Sequence, residues 1–208
     1  MLTPKSVKAL EDLGRVRLSQ NFFMRDFVYS EIAMMAQIPN APEDPDLAIA
    51  AGTRLCEELL EPLQDMFGRI TVRSAYRSCA VNAYGNEHGL NCASNESNYT
   101  HHIWDRLDKD SCMGATACIV LPWFADYCER GASWQELAWW VHDHLPYSEM
   151  VFFPKLAAFN INWHEKPKRR IKSHVGPKGT LTNEKDASAN ADHSALYRDM
   201  LDELTARR

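Results

Sequence analysis

Arg77 is the residue whose setting most clearly invites chemistry. It closes the run Ile70-Thr-Val-Arg-Ser-Ala-Tyr-Arg-Ser78, where β-branched residues alternate with polar ones as in a strand. The Tyr76-Arg77-Ser78 corner at the end of that strand places a guanidinium at the rim of a pocket. A guanidinium can hold a carboxylate through two parallel hydrogen bonds, or serve as a rim arginine in a local salt bridge. Cys118 lies downstream in Gly114-Ala-Thr-Ala-Cys-Ile-Val120, an apolar strand pattern. There a cysteine reads first as a small core residue. As a nucleophile it would need a depressed pKa, which its apolar neighbours Ala117 and Ile119 disfavour. His101-His102, Glu149 and Trp163-His164 are further candidates of metal-ligating or acid–base type outside helices. His142-Asp143-His144 suggests a metal pair, but rings two residues apart on a helix point away from each other. Histidines at a helix C-terminus, favoured by the dipole, are the simpler account.

The elements that must position these residues follow from pattern. Thr3-Pro4 reads as the start of a helix ending near Gly14. Asn21 to Ser30 reads as a second amphipathic segment, with Phe23, Phe27 and Ile32 on one face. Asp46 opens a strong helix to about Phe67, kinked at Pro62, with Leu47, Leu55, Leu59, Leu60 and Leu63 buried. Residues 83–110 are rich in Asn, Ser and Gly, which predicts a long surface loop. Thr116 to Leu121 is a strand. Ser133, with Glu136 three residues on, caps a helix over Trp134 to His142. Glu149 to Phe153 and Ala158 to Trp163 are strands joined by a Pro-Lys turn. The run Lys166 to Lys172 holds five cations in seven residues, as either a solvated face or a surface for an anionic partner. Residues 182–190 read as a linker, and Ala191 to Arg207 as an amphipathic helix with Leu196, Met200 and Leu204 in line. This order is α+β, not a βαβ repeat.

Composition bounds the reading. The 208 residues and 45% hydrophobic share suit one domain with a real core, and the net charge of −5 argues against general nucleic-acid binding. No apolar run of about 18 residues suggests a membrane span. Met1-Leu-Thr-Pro-Lys-Ser lacks a secretory h-region, so the expected location is cytoplasmic or virion-associated. The six cysteines are scattered, and reduced thiols are expected.

Ser74-Ala-Tyr-Arg-Ser78, Asn82 beyond it, and Gly114-Ala-Thr-Ala-Cys118 resemble the M15 peptidase family, the zinc D-Ala-D-Ala carboxypeptidases and phage endolysins. The resemblance runs over roughly residues 18–171. It implies a small antiparallel sheet flanked by helices, forming a domain over 18–182. An N-terminal helix (1–17) would precede it, and a linker and helix (183–208) would follow. It also implies that Arg77, with Tyr76 and Ser78, contacts substrate. The family's zinc motif, S-x-H-x-x-G-x-A-x-D, is altered: Cys118 stands at the aspartate and Ser111 at the histidine. The family's W-x-H becomes adjacent Trp163-His164, a slip of one residue that on a strand reverses the face. No acid stands at the general-base position, and Glu149 is the nearest carboxylate. The available zinc set is His102, Cys118 and His164. The altered positions imply a non-catalytic domain without zinc that binds a peptide or cell-wall ligand, or neighbouring subunits of a phage or prophage particle. The alternative is an active zinc peptidoglycan peptidase with a rearranged His/Cys/His site.

Overall fold

The computed structural model describes residues 3–207. Helix α1 (Val7–Gly14) starts one turn later than Thr3-Pro4, because the Ser6 hydroxyl accepts from the Ala9 N–H and supplies the cap. The 21–30 segment is not a helix. Only a 3-10 turn, Met24–Asp26, forms there, and the Asp26 carboxylate accepts from the Phe23 N–H to close it. Helix α2 (Glu31–Ala36) follows, capped by Ser30. The long helix does form, as α3 (Pro45–Leu55), a π-helical turn (Cys56–Leu60) and α4 (Glu61–Phe67). Pro62 has no N–H for the carbonyl four residues back and crowds it. The widened turn immediately before it absorbs that mismatch.

Strands β1 (Thr71–Ser74), β2 (Gly114–Val120), β3 (Glu149–Phe152), β4 (Phe159–His164), β5 (Arg170–Ser173) and β6 (Gly179–Thr182) form one open sheet. Their order is β1-β2-β4-β3-β5-β6. Every pairing is antiparallel except β3 with β5, which is parallel. The fold is α+β, and its sheet is mostly rather than wholly antiparallel. Helices α7 (Pro122–Glu129) and α8 (Trp134–His144) lie between β2 and β3, and the Ser133–Glu136 capping box at the start of α8 is present.

Period-2 alternation divides the sheet into two faces. Ala115, Ala117 and Ile119 of β2, Met150 and Phe152 of β3, and Phe159, Ile161 and Trp163 of β4 join the main core with the helices. The opposite face carries Thr116 and Cys118, Glu149, and Asn160, Asn162 and His164. Every candidate chemical group of these strands therefore lies on one side of the sheet.

That side is covered by the segment expected to be a surface loop. Residues 83–110 are largely structured: α5 (Cys79–Glu87) reaches into them and a short α6 (Asn95–Asn98) follows. Its asparagines act as internal connectors. Asn82 Nδ2 donates to Ala93 O and Asn95 Oδ1 at 3.0 and 2.9 Å, and Asn98 Nδ2 donates to Asn82 Oδ1 at 2.6 Å. Asn162, from the sheet, donates to the Thr100 carbonyl at 2.9 Å. Gly114 must be glycine here, because an added Cβ would sit 2.5 Å from that same Thr100 oxygen. Trp104 is fully buried against Phe27 and Tyr76, and its indole N–H donates to Thr116 O at 3.2 Å. Polar composition signalled a loop, but these groups satisfy one another and one tryptophan anchors the stretch.

The C-terminal stretch also departs from expectation. Helix α9 covers only Arg198–Ala206, after 3-10 turns at Ala187–Asn190 and Ser194–Leu196. Tyr197, Met200 and Leu204 belong to the main core, whereas Leu196 is exposed.

Candidate functional site

A cleft of about 600 Å3 opens on the second face of the sheet, between β1, α2 and the 90–102 segment. Arg73, Arg77, His102, Cys118, Asn98 and Asn160 contribute to its wall. The register explains the grouping. Cys118 pairs with Ser74 on one side and with Asn160 on the other, so three adjacent strands bring their side chains to one level.

His102 is buried, and its Nδ1 lies 2.6 Å from the Ala75 carbonyl. A carbonyl only accepts, so Nδ1 carries the proton and the Nε2 lone pair is left over. Burial, reinforced by the Arg77 guanidinium, pushes the His102 pKa down to about 3. The ring is thus a neutral acceptor at the cleft wall throughout the physiological range. Arg77 is fixed from two directions. Its backbone N–H donates to His102 O at 2.8 Å, and Nη1 donates to Cys92 Sγ at 3.1 Å. No carboxylate neutralises it among the described residues. Burial raises the Cys118 thiol's pKa, and Arg73 and Arg77 only partly oppose this. Cys118 is a thiol, not a thiolate nucleophile.

The other sequence candidates lie elsewhere. Tyr76 is fully buried beside Trp104 and does not line the cleft. Ser78 caps α5, accepting from the Val81 N–H, and its own N–H donates to Asn40 Oδ1 at 2.7 Å. His164 is on the same face as Cys118, so the one-residue slip does not turn it to the core. It pairs with Gly114, however, whereas Asn160 pairs with Cys118. Four residues of strand separate the two levels, about 13 Å at the usual rise. His164 Nδ1 accepts from Lys166 N at 3.0 Å and Nε2 lies 3.1 Å from Asp108 Oδ2, so both ring nitrogens are engaged. Glu149 is buried among His101, Lys168 and Arg170, with Lys168 Nζ at 2.8 Å. Although burial alone would raise its pKa, hydrogen bonds from His101, Lys168 and Arg170 hold it far below the usual carboxylate range. Such a group does not accept a proton near neutrality. Glu149 reads as an ion-pair centre that consumes part of the 166–172 basic run.

His102 and Cys118 meet in one cleft and His164 does not join them. Among the described residues, no three His, Cys, Asp or Glu side chains come together as a metal site. The residues present do not fit a three-ligand zinc centre. His142 and His144 are likewise engaged, with Tyr147, Ala189 O and Trp140 O as partners.

The sequence has been compared with protein-family models and with curated proteins, and the fold with solved structures. None of them matches. Asn98, Asn160 and Arg73 of the cleft wall were missed by sequence reasoning, Asn98 because it lies in the stretch expected to be a surface loop. Asn160 was findable, since alternation along 158–163 puts it opposite the core-facing Phe159 and Ile161. Arg73 was findable in the same way, since alternation after the core-packed Val72 puts it on the cleft face, and the irregularity hid only Ser74.

Proposed function

We propose that this chain is an M15-like domain that has lost its peptidase centre. It keeps the binding half of the site, taking a peptide or cell-wall ligand by its terminal carboxylate, in a phage or prophage particle or in cell-wall handling. One observation carries the reading: Arg77 lines a formed cleft without a carboxylate partner, while Glu149 and His164 are tied up in ion pairs away from it. The guanidinium supplies bidentate recognition. His102 Nε2 accepts an N–H from the same ligand, and Asn98 and Asn160 add neutral polar groups. Such a cleft binds and orients, and its one carboxylate, Glu31, is exposed at the wall. The active zinc peptidase reading has His102 and Cys118 in one cleft wall in its favour, and lacks a third ligand among the described residues.

Calorimetric titration of a cell-wall stem peptide tests the binding half. Arg77→Ala should weaken binding by about 1.5–3 kcal/mol, as for a charged hydrogen bond, without lowering the melting temperature. Zymography on cell-wall material tests the catalytic half. Clearing that EDTA abolishes and that Cys118→Ala removes would overturn the non-catalytic reading.

A further inference from the structure

The proposed carboxylate site uses one guanidinium, yet the cleft has two. Arg73 lines it as well, and among the described residues its side chain makes no ion pair and no hydrogen bond. Its placement follows from alternation after the core-packed Val72, and the bulge in β1 brings Ser74 to the same side. Between Val72↔Ile119 and Ser74↔Cys118, Arg73 is the extra residue with no opposite number. In a regular strand Arg73 and Ser74 would point to opposite faces. The bulge breaks that alternation, and both residues line the cleft. Both guanidiniums act on the Cys118 thiol in the same cleft, each favouring its ionised form. The only acid in the wall is Glu31, an exposed residue that pairs with neither arginine among the described residues. The cleft is therefore locally cationic on a molecule whose net charge is −5.

We infer that the cleft selects a peptide whose terminal residue carries a second carboxylate, with Arg77 on the main-chain carboxylate and Arg73 on the side-chain one. The inference rests on the peptide-binding reading above and adds a specificity to it. The two arginines differ in depth. Arg77 is half-buried and fixed by Cys92, whereas Arg73 is exposed. A peptide with a neutral terminal residue still engages Arg77 and leaves Arg73 hydrated at no cost. An acidic terminal residue adds one partly solvated charge pair, which screening limits to a modest gain. The neutral His102 acceptor takes the terminal amide N–H in either case.

The test is calorimetric titration of the full chain with two isosteric dipeptides of matched chirality, one ending in glutamate and one in glutamine. The glutamate peptide should bind about three- to tenfold tighter, the range of an exposed to partly desolvated charge pair. Arg73→Gln should close that gap without changing the glutamine peptide's affinity, and Arg73→Lys should keep most of it. Arg77→Gln should weaken both peptides together. Melting curves check that the variants fold, as expected for an exposed residue at a bulge. Equal affinities, or a gap that survives in Arg73→Gln, overturn the inference and leave the binding reading intact. Failure of both peptides to bind the folded wild type overturns the binding reading and the inference with it.

Discussion

His102 shows how one side chain's surroundings decide its chemistry. Its ring is buried, its Nδ1 is committed to the Ala75 carbonyl, and Arg77 stands near it. Each of these disfavours or fails to reward a second proton except the carbonyl, which burial outweighs. The consequence for stability has a definite sign. A histidine with a folded pKa near 3 and an ordinary value of 6.5 stays neutral when folded and protonates when unfolded. Stability is full above pH 6.5 and falls as the pH drops toward 3, by at most about 1.4 kcal/mol per pH unit. His142, whose pKa burial also lowers, acts in the same direction. Glu149 acts later: its folded pKa is depressed, so its contribution fades only below its ordinary value of 4.5. His102→Asn keeps a donor for Ala75 O and removes the titrating group. Denaturant unfolding at pH 6.5, 5.5 and 4.5 should show a shallower loss for this variant than for wild type. Parallel slopes would mean that His102 protonates freely in the folded state. Little of this was legible in the sequence, where His102 and His101 are interchangeable neighbours. Only the turn at 100–103 sends one to Ala75 and the other to Glu149.

At the scale of elements, the sequence was most readable where one local signal agreed with burial. The Ser133–Glu136 box forms as expected, the strand expected over Ile70 to Tyr76 forms over Thr71–Ser74, and the one expected over Thr116 to Leu121 forms over Gly114–Val120. The 83–110 segment was misread for a physical reason. Asparagine and serine signal loops when water satisfies them, but here Asn82, Asn95, Asn98 and Asn162 satisfy one another and nearby carbonyls. Neither composition nor periodicity records that reciprocity, and the isolated Trp104 gives no stripe to count. The bulge at Arg73 was equally invisible, since it is a property of pairing between strands. The segment's structural role predicts a contrast. Trp104→Ala should cost about 3–5 kcal/mol, the range for emptying a buried aromatic site. Leu107→Ala, at an exposed position of the same segment, should stay within about 0.5 kcal/mol. Chemical denaturation of the two variants checks this, and equal small effects would restore the surface-loop reading.

Across the whole molecule, the C-terminal segment closes the fold back onto α8. His142-Asp143-His144, which invited a metal reading, turns out to be the receiving surface. His142 Nε2 lies 3.1 Å from Ala189 O, and Asp143 meets His193 Nδ1 at 2.7 Å and the Tyr197 hydroxyl at 3.1 Å. The His193 ring stacks on Trp139 with centroids 3.8 Å apart, and Arg130 pairs with Glu203 farther along. A terminal helix held this way is a layer of the domain, and its amphipathic face is spent internally on Met200 and Leu204. Any docking to a particle would have to use other surfaces, such as the exposed Val7, Met34 and Met35 on α1 and α2. Asp143 holds two partners from the returning segment, so its loss acts on both. Asp143→Ala should cost about 1–3 kcal/mol, the range for leaving buried donors unpaired. The loss should concentrate where the strap opens, because segments unfold locally before the whole domain does. Amide hydrogen exchange over residues 193–204 should speed up by about tenfold or more, while β2 and β4 keep their protection. Asp143→Asn, which retains an acceptor oxygen, should recover part of the difference. Unchanged exchange in Asp143→Ala would mean that apolar contacts alone seat the segment, and that the histidine–aspartate cluster is not its clasp.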